Sequence, residues 1–346
     1  MAELFEVTGV DRKLYEEKIR EFLPEKMIDA HTHVWLDAHS THNPNAHERT
    51  VSWPARVALD NSVEDLIESY RLMFPGKSVV PLMFSSVSEG DDMDLNNGYV
   101  SSCAEKHRFP ALIFAHPTWT GAELERKIRA GKFIGAKVYL NLSPAYLPRK
   151  EIRIFDFLPP HQLELLHENR RVVMLHIPRD ARLRDPVNHA QMLEIEKNYP
   201  GIRLIIAHVG RAYCNEDVGD AFEVLKTTKK MVFDFAANTN AWVFEQAIRT
   251  FGPERCMFGS DLPITRMRMR RACEGGTYVN VVPRGLYGEL SGDKNMREVD
   301  PPEAERLTTF MYEEILAIRQ ACERAGIDRK GVEAIFLGTA KRVLDL

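Results

Sequence analysis

Residues 26–35, KMIDAHTHVW, combine a strand-like apolar run with two histidines one residue apart. Successive side chains of a strand point to opposite faces, so His31 and His33 are expected on the same face. Two imidazoles on one face of a buried strand cost free energy unless they have polar partners. The pair therefore indicates either a hydrogen-bonded core arrangement or a binding site. Other features of the sequence distinguish these two interpretations.

Seven more apolar runs follow along the chain, each rich in β-branched or aromatic residues. Most of the runs are almost continuously apolar, as expected of parallel strands that are covered on both faces. The eight runs are MIDAHTHVW (27–35), SVVPLMFSSV (78–87), FPALIFAHP (109–117), FIGAKVYL (133–140), RVVMLHIP (171–178), IRLIIAHVG (202–210), MVFDFAA (231–237) and CMFGSDLP (256–263).

Helix-like segments separate these runs. Residues 62–74 open with Ser62 and Asp65, which have the spacing of a capping box, and residues 121–132 reach a stop at Gly131. Strand and helix alternating eight times predict a (β/α)₈ barrel. A doubly wound open sheet is the alternative, but it often carries a GxGxxG turn after its first strand, and this sequence has none.

The predicted barrel domain spans residues 26–346 and follows a helix-patterned N-terminal extension at 1–25. Two insertions, at about 36–61 and 264–302, follow the first and the eighth predicted strands. Since both follow the C-terminal ends of strands, we expect both over the barrel mouth, where active sites of this fold form.

The composition argues against several classes of partner. The chain has 46 basic and 50 acidic residues, a formal charge of −4 and 44% hydrophobic residues, which are ordinary values for a soluble globular protein. No nucleic-acid or membrane-surface partner is therefore expected. The apolar runs are too short to cross a membrane, and the charged N-terminus lacks the apolar core of a signal peptide.

The five cysteines are scattered without CxxC spacing, and their number is odd. This pattern argues against a disulfide framework and against a cysteine zinc site. It is typical of a reducing compartment, so the sequence predicts a cytoplasmic protein.

Polar residues interrupt the apolar runs near their C-terminal ends, which converge at one mouth in a barrel. Nitrogen and oxygen donors without thiolates suit Zn²⁺, Mn²⁺, Fe²⁺ or Ni²⁺. Taken singly, a buried histidine is usually a hydrogen-bonded core residue, and Asp234 is either a strand-end cap or a substrate contact. Structural or loop roles are expected for His39, His42, His47, His116 and His161. The strand-end set is His31, His33, Lys137, His176, His208 and Asp261.

These strand ends carry motifs that resemble the amidohydrolase superfamily of metal-dependent TIM-barrel enzymes, and especially its amidohydrolase-related ("amidohydrolase 2") branch. As a set the motifs are specific to the superfamily but not to one reaction. They are IDAHTHVW (28–35), GAKVYL (135–140), MLHIPR (174–179), IIAHVGR (205–211), MFGSDLP (257–263) and the closing IFLGTAKRVLDL (335–346).

The resemblance implies one divalent metal, with Zn²⁺ as the expected ion, held by His31, His33, His176 and Asp261. It places His208 beside the reacting group as a second catalytic residue. Asp261 would orient a water molecule or accept its proton, and His208 would polarise the scissile group or shuttle the proton.

Lys137 has two interpretations. In two-metal members of the superfamily a lysine at this position is carboxylated and bridges the ions, with His208 among the ligands of the second metal. In the one-metal branch the lysine stays an amine and can meet an anionic substrate, which is the interpretation favoured here. A structural ion pair with Asp234 is the alternative to both.

Substrate contacts are predicted for Lys137, Arg179, Arg211 and Tyr139. The segment after Asp261 is also rich in arginine, which suits either carboxylate recognition or a solvated or subunit-facing loop. Trp35, Trp53 and Tyr139 are expected either to wall a pocket or to pack. These residues favour a small anionic substrate.

The leading interpretation is a hydrolase that acts on an ester, lactone or amide carbonyl. A nonoxidative decarboxylase of a small carboxylic acid is the alternative, because the same branch contains several such lyases. A non-catalytic metal-binding relative is disfavoured, since no ligand position is missing. A homo-oligomer is possible through the long helix predicted at 303–326, although packing of that helix on the barrel is the commoner arrangement.

Overall fold

The computed structural model describes residues 4–43, 49 and 53–346, and its centre is a closed barrel of eight parallel strands. Strand β1 pairs with β2, and β3 to β8 pair in chain order. Bridges from Met83 to Ala111 and from Thr32 to Leu262 join the two groups and close the barrel. The predicted (β/α)₈ fold is confirmed. The strands are Lys26–His33 (β1), Ser78–Phe84 (β2), Leu112–Phe114 (β3), Gly135–Val138 (β4), Val172–Leu175 (β5), Arg203–Ile206 (β6), Val232–Asp234 (β7) and Cys256–Met257 (β8).

Helices follow the strands and cover the outside of the barrel. The predicted capping box is present: the Ser62 hydroxyl accepts the Asp65 N–H, and the Asp65 carboxylate accepts the Ser62 N–H. The helix Gly121–Ala130 ends at Gly131, as its sequence predicts. The other main helices are Val63–Met73, Met93–His107, Pro160–Glu168, Pro186–Asn198, Ala221–Leu225, Ala241–Phe251, Phe310–Ala325, Arg329–Glu333 and Thr339–Leu344.

Apolar side chains fill the barrel interior, with Ile28, Phe84, Met174 and Ile205 in one buried cluster. A second, larger cluster lies between the strands and the surrounding helices. Because apolar atoms occupy the interior, polar chemistry is left to the C-terminal strand ends and the loops above them.

The N-terminal extension forms the helix Gly9–Leu14 and a π-helical turn, Tyr15–Ile19. Tyr15 stacks on Tyr312 and donates a hydrogen bond to the Pro75 carbonyl at 2.7 Å, which fixes the extension on the barrel. The long helix Phe310–Ala325 has one face buried against the protein. It therefore packs on the barrel, the commoner of the two arrangements considered for it.

The first insertion contains a 3₁₀ turn, Asp37–His39, and the helix Trp53–Val57, and His47 lies outside the described residues. The second insertion forms a three-stranded sheet of Arg270–Glu274 (β9), Thr277–Pro283 (β10) and Met296–Val299 (β11). Within the part of the chain that the structure describes, no helix has the length and apolar character needed to cross a membrane.

Two of the five cysteines form a disulfide, so the prediction that the cysteines are unpaired is wrong for Cys214 and Cys273. The bond joins the loop after β6 to β9 of the second insertion, while Cys103, Cys256 and Cys322 stay free and buried. The spacing along the chain carries no signal for this pair, because the two residues meet only once the insertion has folded. The cysteines thus give no support to a reducing compartment.

We expect Cys273→Ser to lower the free energy of unfolding by about 2–4 kcal/mol, since the bond closes a loop with a sequence separation of 59 residues. Guanidinium denaturation without reductant measures this change. Treatment with a phosphine reductant should lower the stability of the wild type to the same level and leave the variant unchanged. Equal stability of the reduced and oxidised wild type would contradict a stabilising bond.

Candidate metal centre

Three histidines at the barrel mouth each place Nδ1 beside an oxygen acceptor. The Nδ1 atom of His31 lies 2.9 Å from Asp234 Oδ2, that of His33 lies 3.1 Å from the Ser85 carbonyl, and that of His208 lies 2.9 Å from the Ala236 carbonyl. A carbonyl or carboxylate oxygen can only accept, so Nδ1–H is the donor in each neutral imidazole. This arrangement leaves Nε2 of each ring with a lone pair that can bind a metal ion or accept a proton.

Asp261 lies among these Nε2 atoms. Its Oδ1 atom is 3.2 Å from Nε2 of His33 and 3.5 Å from Nε2 of His31. Burial alone would raise the pKa of Asp261, but its contact with His33 and its electrostatic interactions with His208 and His31 hold that pKa below its usual range. Asp261 is therefore a carboxylate at neutral pH.

Ligand atoms of His31, His208 and Asp261 all lie within 4.8 Å of one another, close enough for one ion to bind them together. His33 joins the set through its contact with Asp261. The donors are imidazole nitrogen and carboxylate oxygen, which suit zinc and similar divalent metals. The residues present thus fit a divalent metal. The group shares His31 and Asp261 with the ligand set predicted from the sequence, but it contains His208, which the sequence analysis assigned to catalysis, and not His33 or His176.

The backbone, and not strand alternation, aims His208 at the centre. Ile205 and Ala207 pack in the barrel interior, so a regular strand would point the next side chain away from it. Four consecutive residues, His208 to Arg211, have positive φ angles instead, with values of 56°, 43°, 66° and 60°. Three of the four are not glycine, which makes this a strained turn of the kind that clusters at functional sites.

His176 follows β5 and is buried beside the group. Its ring centroid is 5.2 Å from that of His208 and 4.4 Å from that of Tyr139. Its Nδ1 atom is buried and has no hydrogen-bond partner among the described residues. An orphaned buried nitrogen at this place is consistent with a ligand role, although His176 does not belong to the group of three.

Lys137 is fully buried at the end of β4. Its Nζ atom lies 3.4 Å from Nε2 of His31 and 4.7 Å from the centre of the Phe84 ring. Burial lowers the pKa of Lys137 to about 8, although the charges of Asp234 and Asp261 partly oppose this shift. The amine faces the metal centre and contacts His31, not the partner Asp234 that a purely structural role would give it.

Two acids that the sequence analysis did not assign to the centre hold its histidines in place. Asp234 accepts hydrogen bonds from the His31 ring and from the backbone N–H of His208 at 2.7 Å. Asp29 accepts the backbone N–H groups of His31 at 3.2 Å and Ser260 at 2.8 Å, and burial raises its pKa to about 7. A charged residue inside an apolar strand is the sequence signal that marks both.

The predicted substrate arginines are held by the protein itself. Arg179 pairs with Asp185 at 3.0 Å, and one nitrogen of Arg211 donates to the backbone carbonyls of Ile177, Pro178 and Arg179. Neither arginine lines the cavity described next, whereas Tyr139 and Lys137 do.

A cavity of about 570 Å³ opens above the metal centre. Its floor contains His31, His33, His208 and Asp261, and its walls come mainly from the first insertion and from the loops after β2 and β4. Trp35 lines this cavity, whereas Trp53 is buried and hydrogen-bonds to Asp293 at 2.6 Å. The volume is in the range of small-molecule sites.

The remaining histidines with described positions have local roles, as expected. His116 bonds to Thr118, His161 contacts the Trp119 carbonyl, and the His39 ring packs on Tyr99. Nε2 of His42 lies 3.0 Å from Oδ1 of Asp37 at the edge of the cavity.

Comparison with known proteins identifies the family of this chain. The amidohydrolase family model matches residues 28–346, so the chain belongs to that family of enzymes. A search of curated proteins finds no match.

Solved structures share the fold at low sequence identity. A probable 2-pyrone-4,6-dicarboxylic acid hydrolase from Acinetobacter baumannii, with citric acid bound, has a TM-score of 0.54 and 15% identity, covering 92% of this chain and 99% of its own. The 5-carboxyvanillate decarboxylase from Sphingomonas paucimobilis has a TM-score of 0.56 and 12% identity, covering 93% and 100%. An amidohydrolase from Burkholderia multivorans with bound zinc has a TM-score of 0.58 and 13% identity, covering 92% and 99%.

Proposed function

We propose that this protein is a metal-dependent hydrolase that acts on an ester, lactone or amide carbonyl of a small anionic molecule. One ion, expected to be Zn²⁺, would be held by His31, His33, His176 and Asp261. The observation that carries the proposal is the common orientation of the mouth histidines, whose Nδ1–H groups are all engaged by oxygen acceptors.

A divalent ion at such a site lowers the pKa of a bound water molecule to about 7 and so supplies a nucleophile at neutral pH. Asp261 is ionised and in contact with His31 and His33, so it can orient a water molecule in the site and accept a proton. His208 donates through Nδ1 to Ala236, so its neutral ring offers Nε2 as a proton acceptor. These tautomers favour proton shuttling by His208 over polarisation of the carbonyl, because polarisation needs a proton on Nε2.

Decarboxylation of a small carboxylic acid is the second candidate, and Lys137 is the observation that favours it. Its amine is buried at the centre, where burial lowers its pKa to about 8, and a charged amine at this place can hold a carboxylate. A carboxylated Lys137 bridging two ions would instead favour hydrolysis. Metal stoichiometry separates these two states of Lys137.

The test combines metal content and turnover in protein purified without chelators and reloaded with zinc. We expect one ion per chain, hydrolysis within a panel of aryl esters, lactones and amides, and no carbon dioxide release from aromatic acids. His208→Asn should keep the ion and lose turnover, whereas His176→Asn should lose the ion. Two ions per chain in the wild type and one in His208→Asn would establish a two-metal centre. Carbon dioxide release without hydrolysis would establish a decarboxylase.

A further inference from the structure

The cavity contains little positive charge. Of the described residues that line it, Lys137 is the only lysine or arginine. The stretches 44–48 and 50–52 of the first insertion, which the structure does not describe, contain neither lysine nor arginine in their sequence. Beyond Lys137 and the metal centre, the described walls therefore hold no lysine or arginine suited to a second acidic group, and His42 at the edge is already in contact with Asp37.

The arginines of the second insertion are committed elsewhere in the fold. Each binds a partner on the protein, and several of these contacts are bidentate or buried. The pairs are Arg266 with Asn61 and Ser69, Arg268 with Asp11, Arg270 with Glu303, Arg271 with Asn280, Arg284 with Asp300, and Arg297 with Glu274. Substrate contact by this loop, one of its two predicted roles, finds no free guanidinium among these residues.

Negative charge lines the loops of the cavity instead. Asp37 belongs to the first insertion and pairs with His42, and Asp91 follows β2 and accepts the N–H groups of Thr41 and Ser88 at 2.8 Å. Both carboxylates have short contacts with neighbouring loop residues. An anionic group reaching these loops would meet like charge, which costs binding free energy.

Apolar and aromatic side chains provide most of the remaining wall, and they favour an uncharged body with apolar surface. These wall residues are Trp35, Leu36, Pro54, Ala55, Leu59, Val87, Phe114, Tyr139, Pro263 and Ile264.

We infer that the cavity selects a substrate whose single polar or anionic end meets Lys137 and the metal centre, and whose uncharged, largely apolar body lies between the loops. A second anionic group is rejected by Asp37 and Asp91. This inference rests on the proposed function for the location of the reacting end, and it adds the charge and shape of the rest of the molecule.

Two probes of nearly equal size test the inference: 3-carbamoylbenzoate, with one carboxylate, and benzene-1,3-dicarboxylate, with two. Their affinities for the zinc-loaded protein are measured by isothermal titration calorimetry. We expect the dicarboxylate to bind at least about tenfold more weakly than the monocarboxylate. Equal or tighter binding of the dicarboxylate, or no binding of either acid, would overturn the inference.

Variants assign the discrimination to the cavity carboxylates. We expect each of two variants, Asp37→Asn and Asp91→Asn, to reduce the difference in affinity between the two probes. The main cause should be tighter binding of the dicarboxylate. Asp94→Asn is the matched control, because Asp94 is an exposed acid paired with Lys127 outside the cavity lining. An equal effect of the control would mean that long-range charge is responsible and would refute the role of the two loop acids.

The binding measurement does not depend on turnover. If the protein hydrolyses no ester, lactone or amide of the panel, the proposed hydrolysis is refuted. The preference for a single carboxylate is then still tested by the binding measurement. If the protein hydrolyses members of the panel but binds the dicarboxylate more tightly, the proposed hydrolysis stands and the inferred charge preference is refuted.

Discussion

Replacing His31 by asparagine is expected to reduce the metal content from one ion per chain to less than about a tenth and to abolish turnover. His31 is fully buried, its Nδ1 is fixed by Asp234, and its Nε2 lies 3.5 Å from Asp261. The shorter amide cannot place a ligand atom where Nε2 stands, so the proposed site would keep only three of its four protein ligands. Elemental analysis of purified protein and of protein dialysed against zinc measures the effect.

The loss of the buried ring also removes a partner of Asp234, so the fold has to be checked by circular dichroism and thermal unfolding. His33→Asn serves as a second variant in case His31→Asn fails to fold, since the His33 side chain is partly exposed. His161→Asn is the matched control, because this ring contacts the Trp119 carbonyl outside the cavity lining. Full metal content in both His31→Asn and His33→Asn would contradict the assigned centre.

Asp234→Asn is expected to weaken metal binding less than His31→Asn does. The variant keeps every ligand but replaces the carboxylate that orients the His31 ring. Loss of such an outer carboxylate typically weakens metal affinity by about 10–100-fold. The metal affinity of this variant, measured by chelator competition, should therefore lie between those of the wild type and His31→Asn. An unchanged affinity would show that Asp234 acts only as an acceptor for backbone N–H groups.

Asp261→Asn is expected to lower kcat by at least about 10²–10⁴-fold, the usual contribution of a positioned acid–base group, while the fold stays intact. The amide has nearly the same shape but can neither accept a proton at neutral pH nor supply a charged ligand atom. Turnover on the best substrate of the panel, measured at saturating zinc, separates lost catalysis from lost metal. Retained activity would exclude Asp261 as the proton acceptor.

Asp94→Asn again provides the control for Asp261→Asn, because it removes the same formal charge from an exposed helix. The two variants should unfold at similar temperatures. A large stability loss confined to Asp261→Asn would mean that the carboxylate also holds His31 and His33 in the folded protein, where its Oδ1 lies within 3.5 Å of both rings.

The barrel and most of the mouth residues could be predicted because their signals are local. Continuous apolar runs, the capping box at Ser62 and the stop at Gly131 depend only on neighbouring residues. Strand ends of a barrel converge, so histidines that end β1 and a carboxylate that follows β8 had to meet once the fold was inferred.

The rest depends on contacts that no local pattern encodes. Arg211 follows His208 in the sequence and could have faced a substrate, but it donates to three backbone carbonyls after β5. The direction of the His208 side chain is set by a run of positive φ angles. The Cys214–Cys273 bond requires β9 to lie against the loop after β6.

Separate parts of the chain supply the floor and the wall of the cavity. The histidines and acids of the floor lie on or directly after barrel strands, whereas the first insertion supplies much of the wall. Evolution or a protein engineer can thus exchange the wall by grafting a loop of different charge without disturbing the reaction centre. For this chain, arginines transplanted into the first insertion would be the direct route to a variant that accepts dicarboxylates.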